Sequence, residues 1–188
     1  AERFTARVME ELAFLDMPSV TLTVRRREKL LSPDGIDELE LYISTNVGEE
    51  PRSLAKIASG GELARIMLSV KNVMAGRDDI GTLIFDEVDT GVSGRAAQKV
   101  AEKLADVAGR KQVLCVTHLP QIAAMADTHF RIAKTERDGR TYTQVTPLDR
   151  EGRIRELARL HGGENVTETT LASAAEQLDA ASNYKGGL

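Results

Sequence analysis

Ser59-Gly60-Gly61-Glu62 opens a long segment of helical apolar spacing, and its residue types pose a chemical question. A serine followed three positions later by glutamate is a capping box, which closes the first backbone donors of a helix on its own side chains. The two glycines do not belong to that device, since each gives up roughly 1 kcal/mol of helix propensity relative to alanine. They are useful where backbone N–H groups must come close to a ligand, and a helix N-terminus offers unpaired donors and a partial positive charge to an anion such as phosphate. On spacing alone, a plain cap and an anion site both stay open. Asp86-Glu87 follows the apolar run Leu83-Ile84-Phe85. Two carboxylates therefore sit where a strand leaves its sheet, the edge at which open α/β sheets bind ligands. There an aspartate can hold Mg²⁺ through its water shell while its neighbour orients or deprotonates an attacking water. A solvated strand-to-helix loop would carry the same pair. His118 closes a second apolar run, Val113 to Val116, where an imidazole could hydrogen-bond a terminal phosphate or stand by as an ordinary loop residue. His129 and His161 have no such placement and read as structural or surface residues.

The elements that must position these groups follow from periodicity. Leu63, Ile66, Met67, Val70, Val73 and Met74 mark one face of a helix ending near Gly76. Ala97, Val100, Ala101, Leu104 and Val107 mark a second helix, between the two apolar runs. Strand, helix, strand is a βαβ unit, which predicts parallel strands whose C-terminal ends share one sheet edge and so gather Asp86, Glu87 and His118. Upstream, Phe4, Val8, Leu12 and Leu15 form the stripe of a helix that stops before Met17-Pro18. With no N-cap ahead of it, this helix reads as the end of a longer one or as an ordinary amphipathic helix. Val20 to Val24 and Glu38 to Ser44 alternate across Pro33-Asp34-Gly35 and predict antiparallel strands. Downstream come a short helix at Gln121 to Ala126, then a ribbon of His129 to Ala133 against Thr141 to Val145 around Asp138-Gly139. Two last helices follow, around Ile154 to Leu160 and from Thr170 to Ala180, before a polar tail over 182–188 that reads as flexible.

Composition bounds the class. The 188 residues are 41% hydrophobic and 29% charged, a normal mixture for one folded domain. No apolar run approaches the roughly 20 residues that span a bilayer, and the first residues lack the layout of a secretory signal. The expectation is a cytoplasmic protein without membrane contact. The lone Cys115 lies among Val113, Leu114 and Val116, a setting that reads as strand packing rather than metal binding. A net charge of −4 announces no nucleic-acid binder, so any DNA contact must be local. Arg25-Arg26-Arg27 with Lys29 is the one dense basic run, either a phosphate-contacting patch or a solvated strand end or loop.

Taken in order, Ala58-Ser59-Gly60-Gly61-Glu62, Leu83-Ile84-Phe85-Asp86-Glu87 and Thr117-His118 resemble the signature, Walker B and switch-histidine motifs of ABC- and SMC-type ATPases. Glu62 stands where transporter ATPases usually carry glutamine and SMC-like proteins glutamate. The longer strings Lys56 to Arg65, Phe85 to Gly94, Val116 to Gln121 and Glu156-Leu157-Ala158-Arg159-Leu160 with Gly162-Gly163 resemble the RecN family of SMC-like DNA-repair ATPases. That likeness runs from about Pro33 to Ala181 and more loosely before it.

The resemblance implies an α/β fold, the C-terminal lobe of an ABC/SMC-type ATPase head of the P-loop NTPase kind, with parallel strands, flanking helices and an antiparallel β-ribbon. It implies three parts: residues 1–16 as the end of a coiled-coil or connecting helix, 17–181 as the head lobe and 182–188 as a tail. Ser59, Gly60, Gly61 and Glu62 would contact ATP held by a second head, in trans across a homodimer. Asp86 would help bind Mg²⁺ through water, Glu87 would be the catalytic base and His118 the switch. Asp89, Gly91 and Ser93 would belong to the D-loop, with Ser93 standing where transporters and SMC proteins usually have aspartate. No Gly-x-x-x-x-Gly-Lys-Ser/Thr occurs, nor even a Gly-Lys pair. The resemblance puts that phosphate loop in an N-terminal lobe beyond a long coiled coil, so this piece would not hydrolyse ATP alone. The implied role is recombinational repair of DNA double-strand breaks, with DNA bound through the full-length protein at the nucleoid. A transporter nucleotide-binding subunit and a non-catalytic interaction module are the competing classes. Glu62 speaks against the first, and intact Asp86, Glu87 and His118 against the second.

Overall fold

The computed structural model describes residues 1–56, 60–75, 79–137, 139–163 and 165–187, with Arg137 described by its backbone alone. These residues divide into two compact units, Ala1–Val92 with Arg110–Val116, and Ser93–Gly109 with Thr117–Leu188.

In the first unit, β1 (Thr21–Ser32) and β2 (Gly35–Ser44) pair antiparallel, from Thr21 opposite Ser44 to Glu28 opposite Asp37. The chain reverses at Pro33-Asp34, where Gly35 takes φ of 95°, a conformation that glycine adopts without a side-chain clash. β1 is longer than its alternating apolar stretch predicts, because the arginine run continues the ladder: Arg25, Arg26 and Arg27 lie opposite Glu40, Leu39 and Glu38. Arg26 Nε donates to Asp37 at 2.7 Å, and the Arg25 guanidinium lies 3.9 Å from the Tyr42 ring centre. The run thus lies within a paired strand, with cross-strand partners for Arg25 and Arg26. The short β3 (Arg52–Ser53) pairs with β2. At the base of this sheet, Val20, Leu22 and Ile43 pack with Val8 and Leu12 of α1 (Glu2–Phe14) and with Ile66 and Val70 of α2 (Gly60–Met74). The stripes read from the sequence are thus the faces that meet.

β4 (Thr82–Phe85) and β5 (Gln112–Cys115) pair in parallel, in register from Thr82 with Gln112 to Phe85 with Cys115. The chain between them passes through α3 (Gly94–Ala108), as the βαβ pattern requires. Leu83 and Phe85 are buried, whereas Ile84, Leu114 and Val116 are exposed. That is an open apolar face on a strand pair of a kind ordinarily covered on both sides.

The second unit gathers α3, α4 (Pro120–Met125), α5 (Arg150–Gly162) and α6 (Glu168–Gly186), with α4 packed against the other three. Small residues allow this close packing: Ala97, Ala101, Ala123, Ala124, Ala158, Ala174 and Ala181 are all buried. The expected ribbon forms from β6 (His129–Arg137) and β7 (Arg140–Leu148), with Ile132 opposite Val145, Gly139 at φ of 71° in its turn and Asp138 outside the described residues. Asp149 caps α5 by accepting from the Gly152 amide at 2.8 Å, and Thr167 with Thr170 forms a capping box that starts α6. Where the sequence suggested a tail from 182, α6 continues to Gly186. Tyr184 Oη donates to Asp106 at 3.2 Å and Lys185 Nζ to Asp127 at 2.6 Å, and these anchors hold the last turns.

Candidate functional site

Asp86 and Glu87 emerge exposed from the C-terminal end of β4. Glu87 has φ of 58°, the left-handed region that a residue with a side chain adopts at a cost of about 1 kcal/mol or more. The surrounding turn imposes it. Thr90 N–H donates to the Glu87 carbonyl at 3.1 Å, Val92 N–H to the Asp89 carbonyl at 3.3 Å, and Val88 and Asp89 are buried at 0% and 3% exposure.

The start of α2 lies against this turn. A side chain on Gly61 would meet the Thr90 carbonyl oxygen at 2.6 Å and Thr90 Cβ at 2.8 Å, so glycine is what lets helix and loop touch. A side chain on Gly60 would meet the Glu87 carboxylate. Gly61 is buried and Gly60 exposed, so the close approach expected of these glycines is taken up inside the unit at Gly61. Only Gly60 is left facing outward. Glu62 is half-buried in the first turn of α2. Ser59, expected as cap or phosphate contact, lies outside the described residues.

One turn further along α2, Arg65 is 7% exposed and donates from Nη1 to the Thr90 carbonyl at 2.8 Å. Its Nε has no hydrogen-bond partner among the described residues. Burial draws its pKa below the ordinary arginine value, and Glu62 opposes that. A buried guanidinium is costly, and here it ties the helix to the acidic turn. Sequence reasoning passed over this residue because arginine defaults to the surface. Its spacing gave no signal: Arg65 lies away from the stripe of Leu63, Ile66 and Val70, on the helix face that it shares with Gly61 and Ser69.

Cys115, at the end of β5, is half-buried, and its thiol is pushed up to about 12, first by burial and then by Asp89 and Asp86. It stays protonated at neutral pH and fills space, as its neighbours in sequence implied.

Gly60, Gly61, Asp86, Glu87, Asp89 and Gly91 all belong to the first unit, while Ser93 and His118 belong to the second. Gly91 takes φ of 76° and Gly94 φ of 51°, which bracket Ser93 at the N-cap of α3. His118 is exposed, three residues past the end of β5 and ahead of α4. Among the described residues no group of three or more His, Cys, Asp or Glu side chains is placed to hold a metal. A cation at Asp86 would therefore lean on one or two carboxylates, water and ligand phosphates, the manner in which Mg²⁺ binds in phosphoryl-transfer sites.

No family model matches the chain. Among curated proteins it is 52% identical over 155 residues to the DNA repair protein RecN of Bacillus subtilis, covering 82% of this chain and 27% of that protein. It is 45% identical over 190 residues to RecN of Halalkalibacterium halodurans, covering 98% of this chain and 34% of that one. Among solved structures it is similar to the Smc head domain with a coiled coil and joint of Pyrococcus yayanosii, with a TM-score of 0.57, 21% identity and coverage of 85% of this chain and 29% of that one. A Pyrococcus furiosus Smc head bound to the C-terminal domain of ScpA gives a TM-score of 0.55 at 20% identity, covering 85% and 38% of the two chains. The fold is thus that of an SMC-type head. The chain spans about a third of the length of the curated relatives it matches. By these similarities it belongs to the RecN family of DNA repair proteins and corresponds to the C-terminal part of its members.

Proposed function

We propose that this chain is the C-terminal lobe of an ATP-binding and ATP-hydrolysing head in a RecN-like DNA-repair protein. The observation that carries the reading is the contact of the glycine start of α2 with the Glu87 turn, tied together by Arg65. That contact seats in one lobe a helix N-terminus suited to phosphate and a carboxylate suited to activating water, which in this reading serve the nucleotides of two different heads.

In this reading Glu87 orients the attacking water and takes its proton, and its strained backbone keeps the carboxylate forward of the sheet edge. Mg²⁺, when bound through Asp86 and its water shell, supplies neutralisation of phosphate charge. Ser59, Gly60 and Glu62 face the nucleotide of a second head, with Gly61 seating the helix that presents them. Asp89, Gly91 and Ser93 form the D-loop at that seam, and His118 hydrogen-bonds the terminal phosphate as the switch. The bare face of Ile84, Leu114 and Val116 supports a further covering lobe, as does the roughly two thirds of each relative that lies outside the matched region. That lobe carries the phosphate loop, and α1 is the returning end of the coiled coil that connects the two. DNA double-strand breaks are the site of action.

Steady-state ATP turnover of the full-length protein tests the base. Glu87→Gln should lower it by about 100-fold or more while ATP binding persists. Unchanged turnover would remove Glu87 from the mechanism.

A further inference from the structure

Two arginines of the second unit converge on one buried carboxylate, and a third lines the same cavity. Glu156, on α5, is 8% exposed and accepts from Arg159 Nε at 3.0 Å and Nη2 at 2.6 Å, and Arg131 Nε of β6 lies 3.5 Å from the same carboxylate. The Arg159 hydrogen bonds hold the Glu156 carboxyl below the usual glutamate range, so it is ionised at neutral pH. Together with Arg155 these side chains line a cavity of about 330 Å³, walled on its apolar side by Leu148 and Val166.

The lining places three guanidiniums beside one carboxylate, that of Glu156. Arg155 pairs with Glu151 at 2.6 Å, but these side chains are 71% and 73% exposed, a kind of pair that solvent and other anions exchange readily. Glu156 orients Arg159 and Arg131 from below, which lowers the entropy cost of presenting them to a ligand. Guanidinium forks fit phosphate oxygens bidentately, and apolar walls suit a sugar edge. In a chain of net charge −4, this concentration is local rather than a by-product of basic composition.

We propose that the cavity of Arg131, Arg155 and Arg159 seats a backbone phosphate of DNA. The proposal rests on the DNA-repair reading above and adds to it the surface that touches the nucleic acid. The test is anisotropy of a labelled duplex titrated with full-length protein, between about 50 and 200 mM salt. Arg155→Ala, at a largely exposed position where folding is not at stake, should weaken binding roughly tenfold on every duplex sequence and lower the salt slope by about one. Arg131→Ala combined with Arg155→Ala should lower the slope by about two. Arg131→Lys in place of Arg131→Ala should restore part of the slope, since the charge returns without the fork. Undetectable or salt-independent binding by the wild type would overturn the DNA-repair reading, and the pocket with it. Wild-type binding that the arginine variants leave unchanged would overturn the pocket alone. So would a double variant that binds duplex normally but loses affinity for free ATP, since the anion would then be a nucleotide.

Discussion

The two units hold their charged groups by different means. In the first, the acidic turn is set by backbone: a left-handed Glu87, a glycine packed under Thr90, and a buried arginine on a main-chain carbonyl. In the second, the arginine cavity is set by side-chain ion pairs, Arg131 and Arg159 with Glu156 and Arg155 with Glu151, with two of its cations half or more exposed. Main-chain placement fixes a group to fractions of an ångström, which chemistry at a reacting atom demands. Side-chain placement leaves freedom to settle on a polyanion, which phosphate-backbone binding tolerates. Substitutions around the acidic turn should therefore appear in turnover, and those around the arginine cavity in salt-dependent affinity.

Glu87 gives the widest separation: the loss of turnover in Glu87→Gln should come with an unfolding midpoint close to wild type, because the side chain is exposed. A large stability loss there would blur the contrast. Arg65→Leu should lower turnover about tenfold while changing unfolding free energy in urea by less than about 1 kcal/mol. Removing the donor frees the Thr90 carbonyl and hence the turn, yet it also relieves a buried guanidinium with an unpaired Nε. If stability and turnover fell together, Arg65 would be a core residue and not a positioning one.

Glu156→Gln addresses the second unit and should cost about 1 kcal/mol at neutral pH, a value kept small because Arg131 and Arg159 remain solvated. The pH dependence has a defined sign. With its folded pKa below the ordinary 4.5, Glu156 contributes stability that is present above that value and lost as pH falls through the lower folded one. Urea midpoints of wild type and Glu156→Gln should converge on the acid side of that window, and a gap that persists there would refute the ion-pair account. Arg26→Ala should have the smallest effect, within about 0.5 kcal/mol and without change in the salt slope for DNA. Its exposed pairs with Asp37 and Glu28 leave no charge excess for a phosphate to use.

The arginines show how unevenly function can be read along a chain. Arg25-Arg26-Arg27 draws the eye because the residues are consecutive, yet strand pairing sets Glu40 and Glu38 opposite two of them and hydrogen-bonds Asp37 to the third. Arg131, Arg155 and Arg159 are scattered over nearly thirty positions and meet in one cavity only because the side chain of Arg131 on β6 reaches Glu156 on α5. Conversely, Asp86-Glu87 and the glycines of α2 were legible, since strand ends and glycine-bearing helix starts follow from local periodicity.

Local physics settled much of this protein in advance. Apolar spacing set the helix faces, Gly35 and Gly139 set the turns, and strand–helix–strand order made β4 and β5 parallel. What folding alone decided is which charged groups are buried and which are paired: Arg65 under Thr90, Glu156 between Arg131 and Arg159, and the basic strand against its acidic partner. The reason is physical. Backbone conformation depends on neighbours a few positions away, whereas electrostatic environment depends on what lies within a few ångströms, and only the tertiary structure determines that.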